Sequence, residues 1–166
     1  MVSNDIKKSV DQVLDGIESS NKVERKRSLE RLLELLNEIV ASTSNVKSSK
    51  EASVEYSVSS FVEFNELWDT KISRPVYRCL DDPGERCREI AAEIVFTVIN
   101  NAPNVNSIHL SPVFPVLRHR LGNCTGEHSL EPSEEVRLQY LKIMVAILEK
   151  ENLEDKIEKS RLFPYM

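Results

Sequence analysis

Asp82-Pro83-Gly84-Glu85-Arg86-Cys87-Arg88 stands immediately ahead of the apolar run Ile90 to Ile99. An aspartate can cap a helix, proline suits a first helical position, and Glu85 lies three residues after Asp82, where a capping box would place it. The stretch therefore predicts a helix starting directly after Asp82. Forty-nine residues later the frame returns as Glu131-Pro132-Ser133-Glu134-Glu135-Val136-Arg137, with Pro, Glu and Arg at 83/132, 85/134 and 88/137. A second spacing tests the repeat. Pro75 to Pro115 is 40 residues and Pro115 to Pro164 is 49, and only the longer intervals contain the nine residues Gly122–Leu130. Without that insertion one period of about 40 remains, a length that helical-pair repeats use.

Working outward, Ile6, Val10, Val13, Leu14 and Ile17 fall at helical spacing and predict an amphipathic helix over roughly 4–19, and Leu29, Leu32, Leu33, Leu36 and Val40 predict a second over about 22–41. These form a degenerate first pair over 1–41. Placing Arg25 in the slot of Arg88 and Arg137 brings Leu29, Leu32 and Leu36 onto Leu141, Met144 and Leu148. Residues 42–60 hold eight serines with little apolar periodicity and read as a long mobile loop. A third helix carries Phe61, Phe64, Leu67, Trp68 and Ile72 inward and continues or kinks at Pro75. Further helices are expected after Asp82, over 107–121, and after Pro132 with Val136, Tyr140, Leu141, Met144, Ile147 and Leu148 on the buried side. Thus 61–150 reads as two repeats with an insertion at 122–130, and 151–166 as the first helix of an incomplete one. The expected fold is all-α, an α-solenoid of about seven helices.

Composition agrees with this class. Hydrophobic residues make up 40% of the 166, charged residues 30%, and there are only four glycines. A formal net charge of −5 disfavours a general nucleic-acid binder. Neither a basic, apolar leader nor a run of the ~18 apolar residues that a membrane span needs is present. Cys79, Cys87 and Cys124 include no C-x-x-C pair and read as reduced thiols in a soluble, cytoplasmic chain.

Leu80-x-Asp82-Pro83-x-x-x-Cys87-Arg88-x-x-Ala91 resembles the signature of HEAT repeats. The resemblance implies an inter-repeat ladder built from Asp82, Arg88 and Arg137, with Glu131 in the aspartate slot weakening the second rung. Over about 61–166 the succession Leu67-Trp68, Arg78 to Glu89, Pro115 to Gly122 and Glu131 to Leu138 is similar to the N-terminal part of the HEAT-repeat dynein axonemal assembly factor family. That resemblance implies a cytoplasmic, non-enzymatic scaffold assisting preassembly of dynein arms for motile cilia, with dynein chains and other assembly factors as partners.

Second helices of such pairs line a concave face, so the equivalent positions Glu30, Glu93 and Lys142, and Asn37, Asn100 and Glu149, are the candidate partner-binding surface. Alternatives are an adaptor in transport or phosphatase assembly, or a nucleic-acid or membrane-surface binder using the basic face Lys22, Arg25, Lys26, Arg27 and Arg31. Glu24, Glu30 and Glu34 interleave with that face and favour a solvated helix surface. His119, Cys124 and His128 match no zinc spacing, and no grouping of catalytic residues or phosphate-cradling loop occurs, so neither a cofactor nor an enzymatic activity is expected. The acidic pairs Asp81–Asp82 and Glu134–Glu135 are explained by helix N-termini. Leu162, Phe163 and Met166 predict an apolar end on an incomplete solenoid, from a shortened chain or isoform, suited to self-association.

Overall fold

The structure, a computed structural model, describes residues 4–45, 64–102, 108–122 and 130–150, and every regular element among them is helical. The all-α class expected from the repeat holds. The seventh expected helix and most of the serine-rich segment lie outside the described residues. The chain divides into two compact units, one up to Val76 and one from Tyr77 onward.

In the first unit, α1 (Asn4–Ile17) packs against α2 (Lys22–Asn45). Val10, Val13 and Ile17 of α1 and Leu29, Leu32 and Leu36 of α2 are buried, as their helical spacing predicts. Asn21 caps α2, its Oδ1 accepting the Val23 N–H at 2.9 Å. The helix continues past 41 to Asn45, and the Ser42 hydroxyl donates to the Glu38 carbonyl at 2.7 Å instead of opening a loop. Close approach of the two helices rests on Gly16, where an added Cβ would lie 2.0 Å from Ser28 Oγ and 3.1 Å from Ser28 Cβ. Gly16→Ala should therefore cost about 1–2 kcal/mol despite alanine's better helix propensity. In a Ser28→Ala background the loss should shrink markedly, which paired denaturant titrations of the four variants would measure.

The next described stretch is helical at 64–67, passes through a π-helical turn, Trp68–Ile72, and continues as α3, Ser73–Cys79. The π turn answers the proline question. Pro75 has no N–H to offer the Lys71 carbonyl and its ring crowds that carbonyl, so the ladder widens just ahead of it, with the Ser73 N–H bonding to the Trp68 carbonyl. Phe64, Trp68, Ile72 and Val76 are buried, and Lys71 Nζ reaches Asp11 of α1 at 2.8 Å.

The second unit contains α4 (Glu85–Asn101), α5 (Val113–Leu121) and α6 (Glu134–Lys150). Asp82 does not cap α4. Gly84 holds the cap position at φ −85°, ψ 115° with no side-chain cap bond, and the Asp82 carboxylate accepts the Gly84 N–H at 2.7 Å instead. Pro83 consequently lies before the helix and Glu85 is its first residue, so the expected capping box is not formed. α5 starts at Val113 and not at 107, with Pro112 as its cap residue; Pro115 then falls in the first turn, where no N–H is required of it. Gly122 closes α5 at φ 86°, a backbone region that favours glycine. Ser133 caps α6: its Oγ accepts the Val136 N–H at 3.4 Å. The backbone N–H of Glu135 and the Ser133 hydroxyl hold the Glu135 carboxyl below the usual range.

α4 and α6 form the main packing of this unit, and α5 also packs on α6. α4 buries Cys87, Arg88, Ile90, Ala91, Ala92, Ile94, Val95, Val98 and Ile99, so it is enclosed on more than one face. In α6 the buried residues are Val136, Tyr140, Ile143, Ala146 and Ile147. Leu141 and Leu148, expected inward, are exposed, and Ile143 is buried instead. At the far end Lys150 Nζ donates to the carbonyls of Asn100 at 2.6 Å and Ala102 at 2.7 Å, which joins the ends of α6 and α4; desolvation there lowers the lysine's pKa.

Candidate functional site

Each second helix begins with the same tie. Arg25 donates to the carbonyl of Ser19, six residues back, at 3.0 Å; Arg88 donates to that of Asp82 at 2.8 Å; and Arg137 donates to that of Glu131 at 2.8 Å. Every one of these is a spacing of six residues, so the register inferred from sequence reappears as one hydrogen-bond geometry. The acidic slots are also equivalent: Asp82 accepts the N–H of Gly84, and Glu131 accepts the N–H of Ser133 at 3.2 Å. Each carboxylate thus satisfies the backbone two residues on, inside the turn that launches its helix.

Arg88 has a second partner. Its Nε and Nη2 donate to the two carboxylate oxygens of Glu131 at 2.6 and 2.7 Å, a bidentate pair whose side chains are 5% and 0% exposed. A fork of this kind fits guanidinium to carboxylate with both oxygens used, which is why lysine could not replace Arg88 here. The bond to Glu131 raises the Arg88 pKa against the opposing effect of burial. Arg120 lies alongside: it pairs with the Asp81 carboxylate, donates to the Asp81 carbonyl at 3.1 Å, and stands 4.0 Å from Glu131. The Arg120 carbonyl accepts the Glu131 N–H at 3.0 Å. Arg88 of α4 and Arg120 of α5 therefore meet at the Glu131 carboxylate ahead of α6, and Arg120 links it to Asp81 of the α3–α4 turn.

Glu131 was expected to weaken a rung. In the structure its side chain, one methylene longer than aspartate, spans from its own turn to α4 and joins the two repeat frames. Tyr140 completes the cluster, its hydroxyl donating to the Leu80 carbonyl at 2.5 Å. Burial, reinforced by Glu131, pushes the Tyr140 pKa well above its ordinary value. Tyr140→Phe should cost about 1–2 kcal/mol by leaving a buried carbonyl without its donor. The native hydroxyl keeps its proton when the unfolded chain's tyrosine ionises near pH ~10. Its contribution is therefore complete below that pH and is lost as pH rises through the folded value. Denaturant titrations at neutral and alkaline pH should show the gap between wild type and Tyr140→Phe narrowing above pH ~10.

Of the residues singled out by sequence, Asp82 and Arg88 are buried and Arg137 is partly exposed, with its Nη2 3.6 Å from Glu134. Glu30 and Glu93 are half-buried, whereas Asn37, Asn100, Lys142 and Glu149 are exposed. Glu30 sits 3.5 Å from Lys26 in an i,i+4 pair. Cys79 and Cys87 are buried and not joined in a disulfide, and Cys124 and His128 fall outside the described residues. Sequence reasoning missed Arg120, Asp81 and the Tyr140 hydroxyl as members of the cluster. A tyrosine in an apolar stripe does signal that its hydroxyl needs a partner, but nothing in the sequence names Leu80. Among the described residues no group of three His, Cys, Asp or Glu side chains could hold a metal ion, and no helix is long and apolar enough to cross a membrane.

Comparison with known proteins gives the same register a family. Dynein axonemal assembly factor 5 of Xenopus laevis is 26% identical over 147 residues, which is 89% of this chain and 15% of that relative's length. The chain thus spans about one seventh of the relative it matches. No solved structure matches. The family model described as "Dynein axonemal assembly factor 5-like, TPR repeats" matches residues 16–160, from the end of α1 through α2 and the two clearer frames. Its description speaks of TPR repeats where the local signature resembles HEAT; both are stacked helical pairs. With most of its length under that match, the chain belongs to the dynein axonemal assembly factor 5-like family of helical-repeat proteins.

Proposed function

We propose that the chain is a non-enzymatic, cytoplasmic interaction scaffold that assists preassembly of axonemal dynein arms for motile cilia. The observation that carries this reading is the recurrent arginine tie within a matched repeat family: Arg25, Arg88 and Arg137 each lock the entry to a second helix. Such locking presents one helix per pair in a constant register, which is what a docking surface of repeated rungs requires. The densest polar cluster supports a structural role for itself, because Arg88 and Glu131 spend their hydrogen-bonding capacity on each other and on backbone, beneath the surface. Partner contacts then fall to the more exposed rungs, with Lys142 and Glu149 on α6, Asn100 and Glu93 on α4, and Asn37 and Glu30 on α2.

The basic face of α2 supports a nucleic-acid or membrane reading poorly. Arg25 is committed to the Ser19 and Ser20 carbonyls, Lys26 to Glu30, and Arg31 to Glu34 at 3.0 Å. A binder of phosphates would lose affinity steeply with salt, whereas a mixed protein surface responds less.

Affinity capture from ciliated-cell extract, read by mass spectrometry, tests the proposal. Wild-type chain should retain dynein chains and assembly factors, and a variant with alanine at all six rung positions should lose them at unchanged helicity. Retention by that variant would remove the rung assignment. Recovery of transport receptors or phosphatase subunits in place of dynein components would overturn the dynein reading.

A further inference from the structure

The chain has seven prolines, and Pro112 is the one that follows a hydroxyl-bearing residue, Ser111; no serine or threonine precedes the other six. Ser111 is exposed and lies outside any helix, in the turn that leads into α5. The turn is anchored from within. Ile108, Leu110 and Val113 are buried, the Val113 N–H donates to the Leu110 carbonyl at 2.9 Å, and the Tyr77 hydroxyl donates to the His109 carbonyl at 3.1 Å. Ser111 Oγ stands 3.0 Å from His109 Nε2, and that residue is exposed as well. Ser42, Thr70 and Ser133 are placed differently: the first two sit within helical turns and donate to the carbonyl four residues back, and Ser133 is buried as the cap of α6.

We propose that Ser111 is a phosphorylation site for a proline-directed kinase. Such a kinase offers no partner to a backbone N–H directly after the acceptor, and so favours proline, which has none. The acceptor must lie extended in the kinase cleft, and a turn closed by two hydrogen bonds opens more readily than a helix ladder. In the transfer Ser111 Oγ attacks the terminal phosphorus of ATP. An Oγ–P bond forms, the bond from that phosphorus to ADP breaks, ADP leaves, and the hydroxyl proton passes to the kinase's carboxylate base. The product carries about −1.5 to −2 charge. It stands beside the His109 imidazole, a donor for phosphate oxygens, and ahead of α5, whose first turn has no acidic side chain to repel it. This modification is independent of which partners the chain binds.

The full chain is incubated with ATP and, separately, a purified cyclin-dependent kinase and a purified mitogen-activated protein kinase, and phosphopeptides are mapped by mass spectrometry. At least one kinase should place phosphate on Ser111 of the native chain. P112A should slow that reaction at least about tenfold, and S111A should remove it, with helicity by circular dichroism unchanged in both. Absence of phosphate at Ser111 with both kinases would overturn the proposal. Reaction of a peptide of residues 106–117 without reaction of the native chain would overturn it too, because the turn would then withhold the serine. Equal rates for wild type and P112A would overturn the assignment to this kinase class.

Discussion

Arg88→Ala is expected to destabilise the second unit by about 3–5 kcal/mol, the range for removing one partner of a buried ion pair. Its guanidinium is almost wholly withdrawn from water and donates to Glu131 twice and to the Asp82 carbonyl once. Truncation leaves the Glu131 carboxylate buried with less compensation and takes away the carbonyl's donor at the start of α4. Arg88→Lys should recover little of the loss, because an ammonium cannot reproduce the fork. Loss of helical signal in urea, followed by circular dichroism, measures both variants. A cost below about 1 kcal/mol for Arg88→Ala would place the pair among surface-like ion pairs and contradict its burial.

Trp68→Ala should be comparably severe in the first unit, at about 3–5 kcal/mol. Trp68 is fully buried at the start of the π-helical turn, with the Phe64 ring centroid 6.3 Å away and tilted by 30°. Removing the indole opens a large cavity beside a backbone already diverted by Pro75, and rigid helix geometry limits how far the site can collapse. Trp68→Phe retains most of the apolar contact and should cost clearly less. The same urea titration separates them, and equal losses would show that the indole's volume is not what the site depends on.

Much of this was legible in sequence for a physical reason. Apolar spacing places Leu29, Leu32 and Leu36, or Val136, Tyr140 and Ile147, on one side of a helix, and burial follows that spacing closely. The repeat frame was equally readable, because Pro, Glu and Arg recur together and the arginine tie needs only residues six apart. Helix starts were less legible. Asp82 and Gly84 compete for the cap position, and the aspartate prefers to bond the Gly84 N–H, a choice between two local geometries that composition does not rank. The orientation of α6 misled for a different reason: Leu141 and Leu148 are as hydrophobic as Ile143, so the apolar pattern is broad enough for two faces, and packing on α4 selects one.

The candidate surface was legible only as register. Equivalence between Glu93 and Lys142, or Asn100 and Glu149, follows from counting residues, whereas the charges at equivalent rungs differ in sign or size, so no partner chemistry can be read from them. Glu131 was read in the aspartate slot, and the reading did not anticipate its second contact, with Arg88. Aspartate in that slot reaches its own turn; glutamate, with one more methylene, reaches its own turn and Arg88 together.

A double-mutant cycle on Arg88 and Glu131 tests most directly the claim that this pair joins the two repeat frames. Arg88→Met and Glu131→Leu each leave an uncompensated charge, whereas the double variant replaces the pair with apolar groups of similar size. The paired variant should be at least about 2 kcal/mol more stable than the sum of the single losses implies, because contacting charges are strongly non-additive. Additive losses would mean that the two side chains act independently, and the frames would then be held together by the apolar packing of α4 on α6 and by the Tyr140 and Lys150 hydrogen bonds.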